Sequence, residues 1–158
     1  MRIGHGIDAH RLVPGRPLML GGVEVPHDAG LEGHSDGDAV SHALCDAVLG
    51  AAGLGDLGRH FPSGDERWRG AAGVDLLRHA AALARDAGFA VSSAQVVAIA
   101  QAPRLSPHTA AMAAALAGAL GVEPSRVAVS ATSTDGMGFT GRGEGIAASA
   151  VVLLTRIS

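Results

Sequence analysis

Apolar residues recur along this chain with two different periods, and the change from one to the other marks out its elements. Residues 2–12 read as a strand, and residues 17–26 hold two short apolar runs that meet at Gly21-Gly22, the signature of a hairpin. A helical pattern follows. Ser35 stands three residues before Asp38 in a capping-box-like arrangement, so a helix is expected to begin near 36–38 and to run to about Ala52, where Gly53 stops it. Residues 53–70, rich in glycine and charge, read as a loop. Leu76, Leu77, Ala80, Leu83, Ala84 and Ala87 then fall at helical spacing across 74–87, closed by Gly88. The β pattern returns over 89–102, with Val96, Val97 and Ile99 inside it, and halts at Pro103. Ser106-Pro107 opens a further helix, with serine as N-cap and proline in the first turn, that ends at Gly121. The last two strands are 127–133 and 146–155.

The order β, hairpin, α, α, β, α, β, β predicts a two-layer α/β sandwich: a mixed β-sheet with helices on one face, in a single domain spanning 1–158. Both registers of the last strand are apolar, with Ile146, Ala148, Ala150, Val152 and Leu154 on one and Ala147, Val151 and Leu153 on the other. Helices can cover only one of these faces, so the other is expected to pack against a second copy of the chain.

Composition narrows the partners. With 47% hydrophobic residues in 158 there is enough to bury a core. A net charge of −3, no basic run and 3% aromatic residues leave neither the electrostatic footprint nor the stacking platforms of a nucleic-acid binder, although a nucleotide stays possible as a small ligand. The single Cys45 has no partner for an internal disulfide and fits a small core residue in a reducing compartment. The opening residues lack the apolar core of a signal peptide, and no stretch approaches the ~20 apolar residues of a membrane span. The expected location is cytoplasmic.

Chemistry concentrates near the amino terminus. On a strand, Asp8 and His10 point to the same face, and the cluster His34-Ser35-Asp36-Gly37-Asp38 with His42 and Asp46 follows. Asp-x-His alone is short and arises by chance. The helix carrying His42 is too apolar for solvent, however, so its imidazole needs a partner, and a ligand role supplies one. Two imidazoles and a carboxylate suit zinc, with manganese or cobalt possible, and leave a coordination position open for substrate. That points to catalysis rather than to a structural metal.

Four separated motifs carry a resemblance that spans the whole chain: residues 2–10 (RIGHGIDAH), the His34 to Asp38 run through His42, Ala100-Gln101-Ala102-Pro103, and residues 138–145 (GFTGRGEG). Together they closely resemble the 2-C-methyl-D-erythritol 2,4-cyclodiphosphate synthase family. The resemblance implies an enzyme of non-mevalonate isoprenoid synthesis that converts 4-diphosphocytidyl-2-C-methyl-D-erythritol 2-phosphate into the cyclic diphosphate and CMP. It implies a homotrimer with active sites between subunits. Asp8, His10 and His42 match the family's zinc ligands, His34 matches a residue that stabilises the transition state, and Ser133, in the segment that contacts the phosphates, is the second catalytic candidate through its hydroxyl. Ser35, Asp56, Gly58, Phe61, Ser63 and Asp65 match the surface that holds the methylerythritol part. Ala100, Ala102, Pro103, Arg104, Leu105 and Ser106 match the cytosine loop, and Thr132, Asp135, Phe139 and Arg142 complete the substrate contacts. Asp135 is also the candidate contact for a second metal, magnesium or manganese, carried with the substrate diphosphate.

Three positions depart from the family pattern: Ser133 and Asp135 stand where threonine and glutamate are usual, and Ser63 where aspartate is common. Arg142 and Glu144 read either as a solvated salt bridge or, by the resemblance, as part of an axial site for an isoprenoid diphosphate. His5, His27, His60, His79 and His108 lack a paired spacing and read as structural or surface residues. Two other functions fit the same ligands. A zinc phosphohydrolase would need a general base and release inorganic phosphate; an isoprenoid diphosphate binder with a structural metal would lose assembly, not turnover, without His42.

Overall fold

The computed structural model describes residues 1–158, and its elements follow the expected order with several differences. Strands β1 (Arg2–Pro14), β4 (Ala29–Leu31), β5 (Phe89–Ile99), β6 (Val127–Thr132) and β7 (Gly145–Arg156) form one sheet in the order β4-β1-β7-β5-β6. The β5–β6 pair is parallel and the other three are antiparallel, so the sheet is mixed as expected. β2 (Leu18–Leu20) and β3 (Val23–Val25) form the separate hairpin at Gly21-Gly22, both with positive φ. Helices α1 (Ala39–Ala52), α3 (Gly73–Asp86) and α4 (Thr109–Leu120) pack on the sheet, while α2 (Leu57–His60) and α5 (Gly138–Gly141) are single turns. None of these helices is long and apolar enough to cross a membrane.

α1 lies so close to β1 that glycine is required beneath it. A Cβ at Gly4 or Gly6 would collide with the carbonyl oxygens of Ala47 and Ala43. Small residues on both elements bring the backbones together, and Leu44, Val48 and Leu49 are fully buried around the contact. The β7 register splits as its sequence implies. Ile146, Ala148, Ala150, Val152 and Leu154 are buried under the helices, whereas Val151 is exposed on the other face beside Ile3 and Ile7, which are 74% and 64% exposed. His5 lies on that face too, bonded through Nε2 to the Ser149 hydroxyl at 2.9 Å.

Several local expectations are corrected. Asp38, not Ser35, caps α1: its carboxylate accepts the Ser41 N–H, and the Ser35 hydroxyl turns instead to His42. Ser106 does not cap α4 through its side chain; it lies in a 3-10 turn at Ser106–His108 before the helix. The expected loop at 53–70 contains α2, capped by Asp56, and a 3-10 turn at Glu66–Trp68, capped by Asp65. β4 was not expected, because three residues cannot display an alternation and its existence depends on pairing with the end of β1.

Candidate active site

β1 and α1 converge on Asp8, His10 and His42. Asp8 and His10 pair across the sheet with Ala148 and Ile146, both fully buried, which places the two side chains on the helix-covered face. His42 reaches them from the first turn of α1. His10 Nε2 lies 2.6 Å from Asp8 Oδ2, and His42 Nδ1 lies 3.3 Å from both of those atoms. Two imidazole nitrogens that close repel unless a proton or a cation lies between them, so the donor set fits a divalent cation. Burial works against charge at Asp8, yet hydrogen bonds from His10 and His42 outweigh it and hold the carboxyl below its ordinary value. Burial likewise disfavours the His10 imidazolium, but the bond to Asp8 outweighs it and raises the pKa.

The outward nitrogens of both histidines are held as well. His10 Nδ1 donates to the Glu32 carbonyl at 2.7 Å, which leaves Nε2 as the lone-pair nitrogen for a cation. His42 Nε2 meets the Ser35 hydroxyl at 3.0 Å, which frees Nδ1 in the same way. A cavity of about 130 Å³ opens beside these ligands, with His34, Ser35 and Ser63 among its polar lining and Leu57, Phe61, Trp68 and Leu76 as its apolar wall. Phe61 and Trp68 meet edge to face with centroids 5.0 Å apart. His34 is tied through Nε2 to the Asp65 carbonyl at 2.9 Å, so this loop residue reaches the site by its backbone, while its carboxylate is engaged by Arg67. That bonding to Arg67 lowers the Asp65 pKa. Asp56 caps α2 and Gly58 lies within it, and the helix's first N–H, from Leu57, is accepted by Asp46 at 2.7 Å.

A second cavity, about 250 Å³, lies where the parallel strands β5 and β6 end together at Ile99 and Thr132. Crevices at the carboxyl ends of parallel strands are the usual ligand sites of α/β sheets. Ala100, Pro103, Arg104, Leu105, Ser106, Thr132 and Ser133, all candidate substrate contacts, line it together with Gln101 and Ala131; Ala102 does not. The Gln101 amide oxygen accepts the Gly136 N–H at 3.0 Å, which ties this loop to the one carrying Asp135. Asp135 has φ of +52°, the one non-glycine residue with positive φ, and its carboxylate accepts the Ser133 hydroxyl at 3.3 Å. Phe139 lines a third cavity with His10 and Arg11. Arg142 and Glu144 form the expected pair at 3.2 Å, and Arg11 shares the same carboxylate at 3.2 Å.

His10 and His42 line one cavity and the residues at the ends of β5 and β6 line another, with no residue in common. Sequence reading missed Trp68, Leu57 and Leu76 in the metal-site wall, although Trp68 is the sole tryptophan and stands seven residues past Phe61.

Fold and site together define an α/β sandwich with an Asp-His-His group that could hold a metal ion and a separate crevice at the ends of β5 and β6. The chain belongs to the YgbB family, which it matches over residues 1–155. It is 53% identical to the 2-C-methyl-D-erythritol 2,4-cyclodiphosphate synthase of Symbiobacterium thermophilum, over 98% of each chain. It superposes on a solved structure of 2C-methyl-D-erythritol-2,4-cyclodiphosphate synthase in its CDP-bound form with a TM-score of 0.89 and 40% identity, covering 98% of this chain and all of that one. The bifunctional IspDF from Campylobacter jejuni superposes with a TM-score of 0.95 and 39% identity; the chain covers 42% of that protein and 99% of itself aligns.

Proposed function

We propose that the protein converts 4-diphosphocytidyl-2-C-methyl-D-erythritol 2-phosphate into 2-C-methyl-D-erythritol 2,4-cyclodiphosphate and CMP, as a phosphorus-oxygen lyase of isoprenoid synthesis. The observation that carries the reading is the convergence of Asp8, His10 and His42 with both outward ring nitrogens already held. Asp8, His10 and His42 would hold zinc, Asp135 is the candidate contact for magnesium or manganese carried with the substrate diphosphate, and these ions would supply Lewis-acid neutralisation of the phosphate charges.

The chain's residues do the rest. The attacking group is the 2-phosphate of the substrate itself: one of its oxygens bonds to the β-phosphorus, the bond to the α–β bridging oxygen breaks, and that oxygen leaves with CMP. No protein nucleophile and no water are consumed. The protein must fold the substrate so that attack and departure lie in line, and must keep competing water out. The β5–β6 crevice holds the cytidine, with backbone groups of Ala100 to Ser106 facing the base and the Thr132 and Ser133 hydroxyls on the phosphates. Ser35, Asp56, Gly58, Phe61, Ser63 and Asp65 hold the methylerythritol end. His34 and Ser133 donate hydrogen bonds to charge that grows at phosphorus.

The separation of the two cavities in one chain supports a homotrimer with active sites between subunits, and the exposed Ile3, Ile7 and Val151 supply an apolar face for that contact. Arg142 is the candidate for an isoprenoid diphosphate on the threefold axis, and the assembly acts in the cytoplasm. The test is phosphorus NMR of the products from the cytidyl diphosphate substrate. Cyclic diphosphate with equimolar CMP, lost on chelation or in His42→Ala, is the expected result; inorganic phosphate in its place would establish a hydrolase.

A further inference from the structure

Residues 32–38 link β4 to α1 with neither helix nor ladder, so their backbone groups must find partners elsewhere. Those partners form a pattern. The Glu32 carbonyl takes His10 Nδ1 at 2.7 Å, and the His34 carbonyl takes the Gly70 N–H at 2.9 Å. The carbonyls on either side of His34 both go to one side chain: Arg16, in the turn between β1 and β2, donates Nη1 to Gly33 O at 3.0 Å and Nη2 to Ser35 O at 2.9 Å. Its rigid planar fork spans the His34 residue, and no carboxylate pairs with it.

The segment so gripped is also what orients the metal ligands, through the Glu32 carbonyl on His10 and the Ser35 hydroxyl on His42. We propose that Arg16 is a positioning residue for the cyclisation: it fixes the direction of the His34 imidazole and keeps Ser35 against His42, without touching substrate or metal. The inference rests on the cyclase reading above. The β5–β6 crevice is built from other elements, so the clamp governs the chemical step and leaves nucleotide binding alone.

The experiment compares wild type, Arg16→Ala and Arg16→Lys by kcat, KM, bound metal and melting temperature, with ethylguanidinium or ethylammonium added to the alanine variant. In Arg16→Ala, assayed with metal at saturation so that every site is filled, the expected loss is about 10–100-fold in kcat, the scale of a sub-ångström to 1 Å misplacement, with KM near wild type. Arg16→Lys, whose ammonium cannot fork across both carbonyls, falls between them. Ethylguanidinium, which replaces the deleted atoms, restores part of kcat, and ethylammonium does not. An alanine variant with wild-type kcat overturns the inference. So does a loss in both variants that tracks melting temperature and bound metal and resists ethylguanidinium, since that describes a purely structural residue. An inactive wild type overturns the cyclase reading itself, and this inference with it.

Discussion

Asp38 offers the sharpest prediction about how the site is held in place. Its side chain is fully buried and accepts four hydrogen bonds: Oδ1 takes the N–H groups of Gly21 and Ser41 at 2.8 and 2.9 Å, and Oδ2 takes Gly22 N–H at 2.8 Å and the Ser41 hydroxyl at 2.7 Å. One carboxylate therefore caps α1 and pins the β2–β3 turn to it. Asp38→Ala strands two fully buried N–H groups, those of Gly21 and Ser41, while the half-buried Gly22 can recover water. At about 1–3 kcal/mol for each stranded donor, the expected cost is roughly 4 kcal/mol, a large part of a domain's stability. Asp38→Asn keeps an acceptor at Oδ1 and opposes only the Gly22 N–H, so its cost is about 1–2 kcal/mol. Urea unfolding followed by circular dichroism, at fixed protein and metal concentration, measures both. A cost under about 1 kcal/mol for the alanine variant, or equal costs for the two, would refute the reasoning.

Two further outcomes follow from the metal site. Ser35→Ala removes the hydroxyl that holds His42 Nε2, and metal affinity measured by chelator competition should fall about tenfold; unchanged affinity means that His42 is oriented without it. In chelated protein the Asp8–His10 pair makes stability depend on pH. The His10 pKa is raised from 6.5, so its contribution is full below that value and is lost as pH climbs through the higher folded value; the Asp8 pKa is lowered from 3.8, so its contribution is present above that value and lost as pH falls through the lower one. Melting temperature of chelated wild type relative to chelated His10→Asn should therefore be greatest between about pH 4 and 6.5 and should decline toward pH 8, whereas a flat difference would show that the pair does not titrate as described.

Much of this was readable from residue spacing. The period-two placement of Asp8 and His10, the apolar surroundings of His42 and the Gly53 stop led to a metal site between a strand and a helix, and that is where these residues meet. Reading the cap of α1 at Ser35 failed because Ser35 and Asp38 are both good capping residues, and only the three-dimensional path of residues 32–38 shows which one faces the helix end. β4 escaped because Ala29–Leu31 has no pattern of its own and is a strand by virtue of Leu12 to Pro14 beside it. Arg16 was invisible for a related reason. Its partners lie 17 and 19 residues away in an irregular segment, and the contacts run to backbone carbonyls, which every residue carries alike. Asp8, His10 and His42 announce themselves by residue type, whereas the groups that aim them do not.

The central claim is that the substrate's own phosphate, and not water, attacks the β-phosphorus. Carrying out the reaction in ¹⁸O-water and weighing the products by mass spectrometry tests it directly. The account predicts CMP and a cyclic diphosphate that both lack the heavy isotope. Heavy oxygen in the 4-phosphate of an open-chain methylerythritol bisphosphate, the product of water attack at the β-phosphorus, would contradict it and mark the metal site as one that activates water.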